Sequence, residues 1–77
     1  MSVTDPLFVV ALNYRAFLAW CERKGINPHS KEVVYVRDVE RLIGQRDIRI
    51  LFLYGWTERK DWRELHNRAL IVGRRPQ

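Results

Sequence analysis

Asn13, Arg15, Arg37, Trp56, Glu58 and Arg59 each fall just past an apolar run: Leu7 to Leu12, Val33 to Val36, or Ile48 to Tyr54. Their types suit the binding of an anionic or planar ligand. A guanidinium presents a planar fork that matches phosphate or carboxylate, and a tryptophan face can stack on a base. Helix starts at Tyr14 and Val39 would add backbone N–H groups and a favourable dipole. The plainer alternative is that any α/β protein places polar residues in such loops. Other chemistry is weaker. Glu58 and Asp61 could form an acid/base pair, but Asp61 reads as a helix cap, and Arg59 and Lys60 would keep Glu58 ionised. His66 lies near the inner stripe of the last helix and His29 sits in a connector beside Pro28. Ser2 and Ser30 are the only serines, and no spacing points to a nucleophilic triad. Cys21 falls on the core face of a helix, where a thiol is inert, and it lacks the Cys/His company of a zinc site. No metal and no cofactor are expected. The turn Leu12-Asn13-Tyr14-Arg15-Ala16 contains no glycine, so neither the dinucleotide fingerprint nor the phosphate loop is present.

These residues matter together only if the chain brings their loops to one rim. Three times an apolar run leads into a capping residue and a helix-period segment: Asn13 before Tyr14–Lys24, Asp38 before Val39–Gln45, and Asp61 before Trp62–Gly73. This β-α-β-α-β-α order predicts an α/β fold, a small three-stranded parallel sheet with helices on both faces. Leu7–Leu12 is continuously apolar, as a strand buried on both faces should be, and is placed at the centre. The expected strand order is 2-1-3, with 3-2-1 as the alternative. In order 2-1-3 the crevice at the switch point lies between strands one and three. Tyr14, Phe17, Leu18 and Cys21 form the inner stripe of the first helix, and Gly25 ends it. Val39, Leu42 and Ile43 face inward on the second. Trp62, Leu65, Ala69 and Val72 do so on the third, where Asp61 and Glu64 have the form of a capping box. Arg49, early in the third run, marks a strand end or edge.

The chain has 77 residues and is read as a single domain, 1–77, with 1–6 and 74–77 expected to fray. A chain this short hides only about 60–65% of its unfolded surface. With one cysteine it cannot form an internal disulfide. Self-association is the remaining staple, so a homo-oligomer is expected. Ile71, on the outer face of the last helix, is an expected contact residue, and so is Trp20, which lies beside the core stripe and reads equally well as a rim core residue. Fourteen basic residues, eleven of them arginine, against nine acidic ones give a net charge of +5. That balance suits nucleic acid or an acidic partner, although the basic residues are dispersed and a solvated surface explains them as well. No run approaches the roughly 20 apolar residues of a membrane span, and no basic segment precedes the first apolar run, so no membrane and no secretory signal are expected. A reducing cytoplasm fits the single thiol.

The runs Tyr14-Arg15-Ala16-Phe17-Leu18-Ala19-Trp20-Cys21, Gly25-Ile26-Asn27-Pro28 and Val34-Tyr35-Val36 resemble small orphan proteins encoded by bacteriophages of actinobacteria. Arg41-Leu42-Ile43-Gly44, and Gly55-Trp56-Thr57-Glu58-Arg59 followed by Trp62, fit the same pattern. The resemblance covers most of the chain, from about residue 8 to 70. Where such proteins usually carry a second arginine-glycine turn, this chain has Ile43-Gly44. The shared motifs are not catalytic. The resemblance implies an accessory phage product acting in the cytoplasm of the bacterial host, where many such products bind a host protein and alter or stop growth.

The sequence thus favours a non-enzymatic, self-assembling protein that binds a host macromolecule. A nucleic-acid binder using the dispersed arginines comes second, and an anion- or nucleotide-dependent enzyme third.

Overall fold

The computed structural model describes residues 6–73. The elements run β1 (Leu7–Val10), α1 (Tyr14–Lys24), β2 (Val33–Tyr35), a 3₁₀ turn (Val39–Arg41), β3 (Arg49–Phe52), a second 3₁₀ turn (Trp56–Glu58) and α2 (Trp62–Val72). The three strands form one parallel sheet in the order β2-β1-β3. Leu7, Phe8 and Val9 pair with Val33, Val34 and Tyr35 on one side. Leu7 to Val10 pair with Arg49 to Phe52 on the other. The expected α/β architecture and the order 2-1-3 are therefore present. Arg49 opens β3, an edge strand, as its early charge suggests. The expected fraying of 1–6 and 74–77 falls, Pro6 apart, outside the described residues.

β1 takes the centre because its side chains are apolar on both faces. Phe8 and Val10 face one way and join Val36, Leu42, Ile48, Leu65 and Val72 beneath α2 and the first 3₁₀ turn. Val9 and Ala11 face the other way and join Phe17, Trp20, Cys21 and Val33 beneath α1. The strand period of two thus divides one short segment between two cores. Each core is small, so a single large side chain weighs heavily. Truncating Phe17 or Leu65, both buried, removes about 3–5 kcal/mol by lost transfer energy and the cavity left behind.

The helix ends follow local chemistry. Asn13 Oδ1 accepts the Ala16 N–H at 2.8 Å, which starts α1. Gly25 stops it with φ at 69°, in the left-handed region that costs glycine no clash. The Ile26 N–H then closes on the Cys21 carbonyl at 2.8 Å. At the far end of the chain, Ile48 N–H donates to the Val72 carbonyl at 3.0 Å, and Ile48 bridges Gly73 in parallel sense. This contact ties the end of α2 to the start of β3.

Three expectations about the elements need correction. The helix expected over Val39–Gln45 is a single 3₁₀ turn, Val39–Arg41. Asp38 does cap it, but its Oδ1 takes the Glu40 N–H, two residues on, which closes a tight turn. Gly44, at φ 83°, then takes the chain out of helical geometry. With three residues per turn, Val39 and Leu42 share the inner side, whereas Ile43 is exposed.

In α1 the buried face is turned from the expected stripe. Phe17, Trp20 and Cys21 are buried, whereas Tyr14 and Leu18 are exposed. Trp20 is therefore not a self-association surface. It is 7% exposed and stacks on Phe17, with ring centroids 6.4 Å apart. The sheet below offers Phe17 the Tyr35 ring at 5.3 Å, and this aromatic layer draws Trp20 inward.

In α2 the stripe is as expected, with Leu65 and Val72 buried and Trp62 and Ala69 half-buried. However, Asp61 makes no side-chain cap. Its carboxylate is held elsewhere, as described below. Among the described residues no helix is long and apolar enough to cross a membrane.

Candidate functional site

The carboxyl ends of β1 and β2 terminate in carbonyls that have no further ladder partner, and such groups must be satisfied when they are covered. Arg59 satisfies them. Beyond β3 the chain turns at Gly55, with φ at 90°, and passes through the second 3₁₀ turn. Arg59 follows directly, its N–H bonded to the Trp56 carbonyl at 3.1 Å. Its Nη1 donates to the carbonyls of Ala11 at 3.1 Å and Val36 at 2.9 Å. Its Nη2 donates to the Arg37 carbonyl and, at 3.0 Å, to Asp61 Oδ2. Its Nε donates to Asp61 Oδ1 at 2.9 Å. A guanidinium has five N–H donors, and here all five are engaged.

This arrangement overturns the expected role of Arg59. Its side chain is 9% exposed, and no donor is left over for a ligand. It also explains why Asp61 does not cap α2. Both carboxylate oxygens face the guanidinium in a bidentate pair, the stronger alternative. The rim residues are not gathered around an open anion site. The protein's own cation and its carboxylate occupy the ends of β1 and β2.

The remaining candidates divide into two groups on either side of this plug. Trp56 and Glu58 line a crevice of about 580 Å³ with Leu12 and Leu53, at the ends of β1 and β3. That is the switch point, and its lining carries a carboxylate rather than an arginine. Trp56 is half-buried and tied down by rings on three sides: Phe52 at 4.4 Å, Trp62 at 6.3 Å and His66 at 6.4 Å. His66 is thus a surface residue stacked on Trp56, not part of the core. Asn13 is exposed, but its Oδ1 serves the α1 cap. Arg15 lies exposed in the first turn of α1. The N-terminus at Val39 belongs to one 3₁₀ turn and offers no helix dipole worth invoking.

Arg37 belongs to a second, larger groove of about 800 Å³. It runs along the β2 side of the sheet, from Pro28 and His29 past Val33 and Tyr35 to Arg37 and Arg41. Tyr14 walls it, set edge-on to Tyr35 at 5.3 Å. Lys31, Arg37 and Arg41 supply positive charge, and among the described residues no Asp or Glu lines it. Sequence reasoning missed Tyr35, His29, Lys31 and Arg41 as site residues. The signal available was a short strand bracketed by basic residues.

Elsewhere, Cys21 is buried and burial pushes its thiol pKa up, the opposite of a reactive cysteine. Ile71 is 71% exposed and Leu70 is exposed beside it, as the outer-face reading expects. A shallow pocket of about 270 Å³ joins Ile71 to Ile43 across Glu64 and Arg68. Among the described residues no group of three or more His, Cys, Asp or Glu side chains is placed to hold a metal ion. No protein family, no curated protein and no solved structure matches the chain.

Proposed function

We propose that this chain is a non-enzymatic binding protein, an accessory product of a bacteriophage that engages a macromolecule of its bacterial host in the cytoplasm. The observation that carries this reading is the contrast between the strand ends and the β2 edge of the sheet. The carboxyl ends of β1 and β2 are filled by the Arg59–Asp61 pair, and the crevice left at the switch point between β1 and β3 carries Glu58 and none of the rim arginines expected to hold an anion. The groove beside β2 is larger, about 800 Å³, and is lined along the sheet edge by Lys31, Arg37 and Arg41, which suits an acidic macromolecule. The phage context comes from the sequence resemblance alone.

Self-assembly is the second part of the proposal. The apolar pair Leu70–Ile71, with Ile43 nearby, forms an uncovered patch on a domain too small to bury all its apolar surface. Glu64 and Arg68 flank it and give the patch both signs of charge, which suits a self-complementary contact.

Affinity capture from an actinobacterial host extract tests the first part. The wild-type chain and the double variant Arg37→Glu/Arg41→Glu are run side by side. Partners retained by the wild type should be lost with the variant. Capture of the same partners by both would refute a role for the groove. Binding confined to DNA or RNA, and weakening steeply with salt, would move the protein to the nucleic-acid class.

A further inference from the structure

We propose that the occupant of the β2 groove is an extended acidic peptide segment, added to the sheet as a fourth strand. This inference rests on the binding-protein reading above and specifies the class of partner.

β2 is an edge strand. The Leu7 N–H donates to the Glu32 carbonyl at 2.8 Å, and the Val36 N–H donates to the Val9 carbonyl at 2.9 Å. In a parallel ladder the bonding residues alternate. Glu32, Val34 and Val36 therefore turn their backbone groups toward β1, and Val33 and Tyr35 turn theirs away. The Val33 N–H reaches back to the Ser30 carbonyl at 3.4 Å. The Val33 carbonyl and both backbone groups of Tyr35 have no partner among the described residues. They form the acceptor–donor–acceptor row that an incoming strand pairs with.

Charge selects the partner. Lys31 and His29 stand at the amino end of the groove and Arg37 and Arg41 at its carboxyl end, with no acid in the lining among the described residues. A second copy of this chain paired through β2 would bring these cations against their own kind, which disfavours a self-paired edge. A nucleic acid could use the positive charge and the Tyr14 ring. Its phosphates, however, have no donor for the Val33 and Tyr35 carbonyls. An acidic segment supplies both the backbone donors and the negative charge. Its alternate side chains would fall toward Tyr14 and Tyr35 on one face and toward Val34 and Arg41 on the other.

The test uses the full chain and three probes. The first is a peptide of about eight residues alternating Glu with Val, long enough to span β2 at roughly 3.3 Å per residue. The second is the same peptide N-methylated at alternate residues, which keeps its charge but removes strand donors. The third is an oligothymidylate of matching charge. Amide exchange at Tyr35 is followed alongside fluorescence anisotropy.

The plain peptide should bind and slow exchange of the Tyr35 amide. N-methylation should weaken binding by about tenfold or more, from the loss of the two hydrogen bonds to the Val33 and Tyr35 carbonyls. Arg37→Glu/Arg41→Glu should weaken it by about tenfold through lost charge complementarity. Both positions are exposed, so the variant should remain folded, and circular dichroism checks this.

Equal binding of the N-methylated peptide would overturn the strand geometry, as would an unprotected Tyr35 amide in the bound state. Tighter binding of the oligothymidylate would overturn the choice of partner. If no peptide binds while host capture still depends on Arg37 and Arg41, the fourth strand is wrong and the binding-protein reading survives. If host capture is indifferent to those residues, that reading falls too.

Discussion

Arg59 and Asp61, two residues apart, meet as a parallel pair of charge-assisted hydrogen bonds, Nε to Oδ1 at 2.9 Å and Nη2 to Oδ2 at 3.0 Å. The carboxylate fixes the plane of the guanidinium, and the guanidinium fastens the carboxyl ends of β1 and β2 to the start of α2. One side chain thus serves as the clasp for three elements.

Removing that clasp leaves three carbonyls without a donor and a carboxylate without a partner. Arg59→Ala should lower the unfolding free energy by about 3 kcal/mol, read from chemical denaturation. Arg59→Lys should recover little of it, because an ammonium cannot hold a bidentate carboxylate and strand-end carbonyls at once. Full stability in Arg59→Ala would show that the clasp contributes nothing, and full recovery in Arg59→Lys would show that its planar fork is not needed.

Trp20 and Ile71 should behave as opposites. Trp20→Ala empties part of the α1 core and should destabilise by about 3–5 kcal/mol without a specific effect on assembly. Ile71→Asp changes an exposed position and should shift folding stability within about 0.5 kcal/mol. In sedimentation at micromolar concentration the wild type should associate, and Ile71→Asp should run as a monomer. A monomeric wild type would remove the proposed self-assembly.

The Cys21 thiol should be silent in the native protein. Burial favours the neutral thiol and raises its pKa, so little reactive thiolate forms near neutral pH. Labelling by an aromatic disulfide should be slow and should accelerate only with unfolding. Because the raised pKa belongs to the folded state, this group's contribution to stability is retained below the unfolded thiol's pKa. It is lost as pH rises through the folded value. Rapid labelling under native conditions would mean that α1 opens or that the thiol lies outside the core.

Gly73 is needed for a close approach. A Cβ there would stand 2.5 Å from the Ala69 carbonyl oxygen, which the Gly73 N–H already contacts at 2.7 Å. Gly73→Ala should therefore cost about 1–3 kcal/mol and loosen the tie between α2 and β3. An unchanged melting temperature would indicate that the α2 terminus shifts freely.

The parts legible from sequence were those with local signatures. Leu7 to Val10 is apolar at every position, which marks a central parallel strand. Asn13 and Gly25 bracket α1 with a cap and a left-handed stop. The clasp had no such mark. Arg59 bonds to the carbonyls of Ala11, Val36 and Arg37, which lie 48, 23 and 22 residues away. Carbonyls are common to every residue, so nothing in the string distinguishes an arginine bound to them from one facing solvent.

The sequence alone does not decide between core and contact for Trp20, for a related reason. The periodic stripe beginning at Tyr14 describes a helix face, but the aromatic layer of Phe17 and Tyr35 decides which way that face turns. The β2 groove has no mark of its own in the sequence, because Lys31, Tyr35, Arg37 and Arg41 become one surface only along the sheet edge.

The most direct measurement is the NMR signal of the Arg59 Nε proton. Held on Asp61 above the ends of β1 and β2, it should exchange slowly with water and stay unmoved when inorganic phosphate or ATP is added. A fast-exchanging proton whose signal shifts on titration with phosphate or ATP would contradict the account, because it would show the strand ends open to an anion.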